Sequence, residues 1–369
     1  MLFDPINIEG LSIPNRFVRS ATHEWLAEED GTPTEAIGDI YEELAKNEVG
    51  LIVTGYSYVN PAGKSDGLQQ GIYDDRFIGP YRKIVERVHS YESKIVLQIV
   101  HGGRQSMAQH GYPLLAPSAV EDSSTGKLPR AMTEDEILKT IDDFVNATRR
   151  AMEAGFDGVQ LHCAHGFLLS SFISPYTNRR EDKWGGSVEN RTRIITEIVR
   201  RIREDVSSDF PLMVKLNATD GFDIYSGHIS LDAPECVEIA AHLEKAGVCA
   251  IEVSGGIVEA GSVMSQPGVD TEEKEAYFRR YAKMIKDTVS IPIILVGGIR
   301  TRAIMDEVLR VYADMVSMSR PFISEPDLVK KLEQGAEGAR CVSCNRCFDK
   351  NGIRCNYDFA LYGQDISKK

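Results

Sequence analysis

A chain of 369 residues has room for one large α/β domain with an appendage, or for two ordinary domains. Its 42% apolar and 26% charged composition is that of an average folded protein and excludes disordered and fibrous classes. A formal charge of −13, with no lysine or arginine cluster to offset it, argues against nucleic-acid binding.

The N-terminal Met-Leu-Phe-Asp-Pro-Ile-Asn has no basic segment leading into an apolar one, so no secretory signal is expected. A first strand is predicted over Arg16–Thr22. Helical periodicity runs from Thr34 to Asn47 and stops at Gly50, before a short buried strand over Leu51–Thr54. A helix over Asp74–Tyr91 precedes the strand Lys94–Val100. A loop from His101 to Pro129 is longer than a compact domain needs unless it has a function.

Thr133-Glu-Asp-Glu136 reads as a capping box that opens a helix ending at Gly155. The strand Gly158–His162 follows, then a loop through Tyr176–Gly186 and an amphipathic helix from Ser187 to Val206. Strand five is Leu212–Leu216, and a helix from Asp232 to Gly247 leads to strand six, Ala250–Val253. A helix over Thr271–Asp287 leads to strand seven, Ile293–Val296. A helix over Thr301–Val311 leads to strand eight, Met315–Met318, and a short helix follows Pro326.

Eight strand–helix units in sequence imply parallel pairing and predict a TIM (β/α)8 barrel over residues 1–335, followed by a Cys-rich tail over 336–369. The rival, a doubly wound open sheet, lacks a Gly-x-Gly-x-x-Gly after any early strand. No window approaches eighteen consecutive apolar residues, so no membrane span is expected. Seven cysteines are too few for a disulfide scaffold, which points to a reducing, cytoplasmic setting.

In such a barrel the chemistry sits at the C-terminal ends of the strands. His162 and His165, three residues apart where strand four ends, are placed to converge on one oxygen atom. A structural imidazole couple, or a metal site with Cys163, is the plainer reading. Gly297-Gly298 and Ser319-Arg320 end strands seven and eight, where barrels often hold phosphate on backbone N–H groups; a tight turn alone would also explain the glycines. Lys215, on a buried strand, needs an anionic neighbour or a function, and a structural ion pair serves as well as a cofactor contact. Gln98 has the donor and acceptor to read a heterocycle edge, or to bond the backbone.

Several long motifs in order then resemble the old yellow enzyme family. They are Asn15-Arg-Phe-Val-Arg-Ser-Ala-Thr22, Gln98-x-x-His-x-Gly-Arg104, Gly155-Phe-Asp-Gly-Val-Gln-Leu-His-Cys-Ala-His-Gly166, Ser174-Pro-Tyr-Thr-Asn-Arg-Arg180, Trp184-Gly-Gly-Ser-x-Glu-Asn-Arg191 and Ala313-Asp-Met-Val-Ser-Met-Ser-Arg-Pro321. The likeness is greatest to the branch of 2,4-dienoyl-CoA reductase and trimethylamine dehydrogenase. It implies an FMN-dependent barrel, with Ala21, Thr22 and His23 along the flavin edge and Tyr56 near its ring. Gln98 would bond the pyrimidine side and Lys215 would face N1 and O2, while Gly297, Gly298, Ser319 and Arg320 would hold the phosphate. His162 and His165 would bond the carbonyl oxygen of an activated alkene, with Trp25 and Tyr58 shaping the substrate pocket and NAD(P)H as the reductant.

Two features depart from the family pattern. Family members usually carry a proton-donating tyrosine two residues after the second histidine, and Phe167 stands there. Cys341, Cys344, Cys347 and Cys355 form Cys-x2-Cys-x2-Cys-x7-Cys, with the last two gaps shorter than in related multidomain reductases that carry a four-iron cluster. A 4Fe–4S cluster, structural zinc or a metal-free tail are the three readings. Because the chain stops soon after these cysteines, a cluster would be expected to take electrons from a separate ferredoxin-like carrier.

The leading expectation is therefore an FMN oxidoreductase that reduces the C=C bond of a small α,β-unsaturated carbonyl compound, with a homo-oligomer as the expected assembly. Against it stand a flavin-free lyase or aldolase using a Lys215 Schiff base and a non-catalytic electron carrier built on the cysteines.

Overall fold

The structure is a computed structural model, and it describes residues 1–107, 111–223 and 225–357. Eight parallel strands form the barrel: β1 (Phe17–Arg19), β2 (Leu51–Val53), β3 (Lys94–Val100), β4 (Gly158–Cys163), β5 (Leu212–Asn217), β6 (Ala250–Ser254), β7 (Ile293–Val296) and β8 (Met315–Met318). Each pairs with its sequence neighbours, and β8 pairs with β1, so the sheet closes. Closure leaves no free edge.

The strands are nearly all buried because helices cover the outside. These are α1 (Glu35–Lys46), α2 (Ile78–His89), α3 (Glu134–Glu153), α4 (Val188–Asp205), α5 (Ala233–Ala246), α6 (Arg279–Lys286), α7 (Arg302–Glu307) and α8 (Leu328–Glu333). The Thr133–Glu136 capping box forms with both of its reciprocal bonds. Gly247 ends α5 in the left-handed region, at φ 107°, where only glycine is free of strain.

The expected helix over Thr271–Asp287 is a correction. It splits into a 3-10 turn at Glu272–Lys274 and the short α6, because the Glu275 carboxylate leaves the helical path to accept the Arg300 and Thr301 N–H groups. The helix expected over Thr301–Val311 ends as α7 and continues as a π turn over Val308–Tyr312. Short helices at Leu168–Ile173 and Arg320–Ser324 are too brief for periodicity to register in the sequence.

The barrel interior is layered. At its N-terminal end Val18, Val53, Val96, Met213, Ala250, Ile294 and Met315 form an apolar plug. A hairpin of Ile6–Ile8 and Leu11–Ile13 closes that end, adding Ile8 and Ile13 to the plug. Above it lies a polar layer, described below, that faces the open mouth. The segment after α8 packs back on the barrel: Ile353 N–H donates to the Glu24 carbonyl at 2.9 Å, and Ala339 N–H to that of Arg300 at 2.9 Å. Residues 358–369 of the expected tail lie outside the described residues. Among the described residues no helix is long and apolar enough to cross a membrane.

Candidate active site

The polar layer begins with Glu252 on β6, fully buried. Its Oε1 accepts hydrogen bonds from Ser20 Oγ (2.8 Å) and Ser317 Oγ (2.7 Å), and its Oε2 from Gln160 Nε2 (2.9 Å). Lys215 Nζ stands 3.4 Å from the same carboxylate and donates to Ser20 Oγ at 2.8 Å. The structural ion pair weighed from sequence therefore exists, and Lys215 also lines the cavity above it. Burial pulls the Lys215 pKa down, and Glu252 opposes that fall. Gln98 Nε2 donates to Gln160 Oε1 at 2.6 Å, which leaves the buried Gln98 Oε1 without a partner.

Over this floor opens a cavity of about 330 Å³. Its wall gathers Ala21, Thr22 and His23 after β1, Tyr56 after β2, Gln98, His162, His165, Lys215, Gly297, Gly298, Ser319 and Arg320. One space thus joins the imidazole pair to the glycine–arginine end.

His162 and His165 meet edge to face, with ring centroids 5.1 Å apart. His165 holds a left-handed backbone (φ 65°), uncommon for a side-chain-bearing residue, with Gly166 continuing the turn at φ 81°. The His165 N–H donates to Asn217 Oδ1 (3.4 Å), its carbonyl accepts from Gln105 Nε2 (2.7 Å), and its Nε2 lies 2.8 Å from Ser254 Oγ. Burial, then the Lys215 charge, lowers the His165 pKa to about 3; burial, His165 and Lys215 push His162 well down. Both rings are neutral at pH 7. Because His162 Nδ1 accepts the Ala164 N–H (3.3 Å), its ring proton sits on Nε2.

At the other end Gly297 and Gly298 take φ values of 139° and 72°, and a Cβ on Gly298 would come within 2.8 Å of the Tyr277 ring. The Arg320 guanidinium donates to the Gln266 carbonyl (2.8 Å) and Asn345 Oδ1 (2.7 Å). Sequence reasoning missed Arg300, whose Nε is buried without a partner on the same wall; its place directly after Gly298-Ile299 was the available signal. It also missed Ser343 and Phe348, which the Cys segment contributes to the wall and nothing in the local pattern marks.

Two expected pocket residues fall elsewhere. Trp25 packs on the His23 ring (4.4 Å between centroids) and is not on the cavity wall. Tyr58 lies apart from it: its hydroxyl donates to the Asp30 carbonyl at 2.9 Å, and it lines a separate cavity with Lys64 and Tyr73.

Cys341, Cys344, Cys347 and Cys355 are all free and line one small cavity beside Arg320. Among the described residues no three His, Cys, Asp or Glu side chains are grouped so as to hold a single metal ion.

Comparison with known proteins now decides the family. Residues 1–338 match the NADH:flavin oxidoreductase / NADH oxidase family. The chain belongs to this family. It is 38% identical over 366 residues to an NADH oxidase of Thermoanaerobacter brockii, covering 96% of this chain and 55% of that protein. It is 34% identical to an NADPH dehydrogenase of Geobacillus sp., covering 88% of this chain and 92% of that one. The chain spans about half the length of some relatives, 51% for a metal reductase of Desulforamulus reducens. Among solved structures, 2-naphthoyl-CoA reductase superposes with a TM-score of 0.85 at 26% identity, covering 94% of this chain and 54% of that one. An old yellow enzyme homologue from Zymomonas mobilis gives 0.77 at 27% identity, covering 92% and 95%. The expected kinship with old yellow enzymes and the expected barrel therefore both hold, and the chain is a member of an oxidoreductase family whose membership implies FMN.

The residues present fit that cofactor. Gln98 Oε1 is an orphaned acceptor on the cavity wall, and two glycines with two arginines suit a phosphate tail.

Proposed function

We propose that this chain is a flavin-dependent reductase of the C=C bond of a small α,β-unsaturated carbonyl compound. The observation that carries the reading is the shared cavity, in which the neutral pair His162 and His165 faces the same space as Gly297, Gly298 and Arg320. FMN, held by Gln98, Lys215, Arg320 and the two glycines, would supply hydride to the β-carbon. Negative charge then grows on the substrate carbonyl oxygen. His162 Nε2–H and the His165 ring are preorganised to meet it, and a single donor of this kind is worth about 3–4 kcal/mol of barrier. Family membership favours this over a Lys215 Schiff base, since Lys215 is already tied to Glu252 and Ser20. NAD(P)H is the proposed reductant. Purified protein with bound-flavin absorbance and NAD(P)H-dependent enone turnover is the expected result; a colourless protein that cannot be reconstituted with FMN would sink the reading.

For the Cys segment we propose a 4Fe–4S cluster in preference to zinc. What supports the reading is that the four thiols line one small cavity and that their close Cys-x2-Cys-x2-Cys run is of the kind that ligates iron–sulfur clusters. A cytoplasmic, reducing setting and a ferredoxin-like donor accompany this proposal. Iron and acid-labile sulfide in anaerobically purified protein test it, and zinc in their place would refute it.

A further inference from the structure

An alkene that has accepted hydride at its β-carbon still needs a proton at its α-carbon. Phe167, two residues beyond His165, has none to give. The structure sorts the other candidates. Tyr225 is 89% exposed, and Tyr58 points to the Asp30 carbonyl. Tyr176 packs on Phe222 and His228, away from the cavity wall. Tyr277 lines the cavity at the glycine end, and its hydroxyl donates to the Met264 carbonyl at 3.3 Å. His23 has Nδ1 accepting the Trp25 N–H (3.5 Å) and Nε2 facing Asp66 (3.7 Å).

Tyr56 is different. It lines the cavity at the imidazole end, with its ring 5.3 Å from that of Phe167 and 6.0 Å from that of His162. It therefore stands against the side chain at the usual donor's position and beside the imidazole assigned to the carbonyl. Ser65 lies at its hydroxyl.

We propose that Tyr56 is the catalytic acid that protonates the α-carbon in this chain, in place of the group that Phe167 lacks. The proposal rests on the enone-reductase reading above. Bound FMN would supply the hydride for the β-carbon C–H bond, and the alkene π pair would move towards the α-carbon and carbonyl. The α-carbon C–H bond then forms as the Tyr56 O–H bond breaks, leaving the electron pair on the phenolate oxygen. Water returns a proton to that oxygen. Burial, with the Asp66 and Glu24 charges, raises the Tyr56 pKa, so the hydroxyl keeps its proton at neutral pH.

A nitroalkene separates the two steps, because hydride addition alone yields a nitronate anion visible in the ultraviolet. Tyr56→Phe removes only the hydroxyl. The expected variant binds FMN, is reoxidised by the nitroalkene and releases nitronate, with protonation slowed roughly a hundredfold or more. Adding Phe167→Tyr restores the nitroalkane product. With an enone in D2O, the wild type places deuterium on one face of the α-carbon and Tyr56→Phe on both. Nitroalkane formed by Tyr56→Phe at the wild-type rate overturns the assignment. A wild-type chain whose reduced flavin reacts with neither probe overturns the enone reading and this assignment with it; that failure is recognisable because neither protein then yields nitronate.

Discussion

Nε2 of His165 stands 2.8 Å from the Ser254 hydroxyl, so one of the two imidazoles facing the cavity is braced from β6, two strands along the barrel, while the other, His162, keeps its Nε2 proton for the cavity. His162→Ala should therefore cost most, lowering kcat for enone reduction about 10²–10³-fold with flavin binding retained. Ser254→Ala, which only frees the His165 ring, should cost less. Rapid-mixing measurement of flavin reoxidation by the enone checks the order, and the reverse order would contradict the assignment.

Glu252 and Lys215 form a buried pair whose members need each other. Glu252→Ala leaves an ammonium without a counter-charge in the barrel, and breaking such a pair costs about 3–5 kcal/mol. Glu252→Gln, which keeps the acceptor for the two serines, should lose less. Urea denaturation measures both; equal stability of wild type and Glu252→Ala would show the pair to be unimportant.

Arg320 offers a planar fork that lysine cannot reproduce. Arg320→Lys should weaken FMN binding about tenfold or more, equivalent to about 1.4 kcal/mol, as read by fluorescence quenching on titration of the apoprotein. It should also loosen the Cys segment, since the Asn345 contact is lost with it.

Acid should unfold the protein early. Burial holds the pKa of His101 near about 4 and that of His165 near about 3, with His162 also well down. The unfolded chain binds protons at these groups from about pH 6.5 downwards, while the folded chain does not, so stability falls between about pH 6.5 and 4. Asp220 opposes this: burial raises its pKa to about 6, so its contribution is present at low pH and lost as pH rises through about 6. Glu259 and Glu275, also raised by burial, oppose it likewise, while Asp66 and Glu136, each held down to about 2, join the three imidazoles in losing stability as pH falls. The urea midpoint should be lower at pH 4.5 than at pH 7, and His101→Gln should narrow the gap.

The barrel was legible in the sequence because its signals are local and repeated. The strands Lys94–Val100, Ile293–Val296 and Met315–Met318 lie where a buried apolar run predicts them. Strand ends then give the wall of the cavity, since a strand terminus in a barrel points to the mouth. What stayed hidden depends on distant partners. Glu275 leaves its helix for N–H groups 25 and 26 residues away. Tyr58 turns outward for a carbonyl 28 residues back. Phe348 reaches the wall only because its segment folds over the barrel. No periodicity encodes such choices.

The hairpin that seals the barrel's far end has a kinetic corollary. With Ile8 and Ile13 stoppering the far end, the cavity above them is entered, among the described residues, from the mouth; on the proposed function, nicotinamide and alkene would take turns there. Double-reciprocal plots of initial rate at several enone concentrations should run parallel; lines that cross would mean both visitors fit at once.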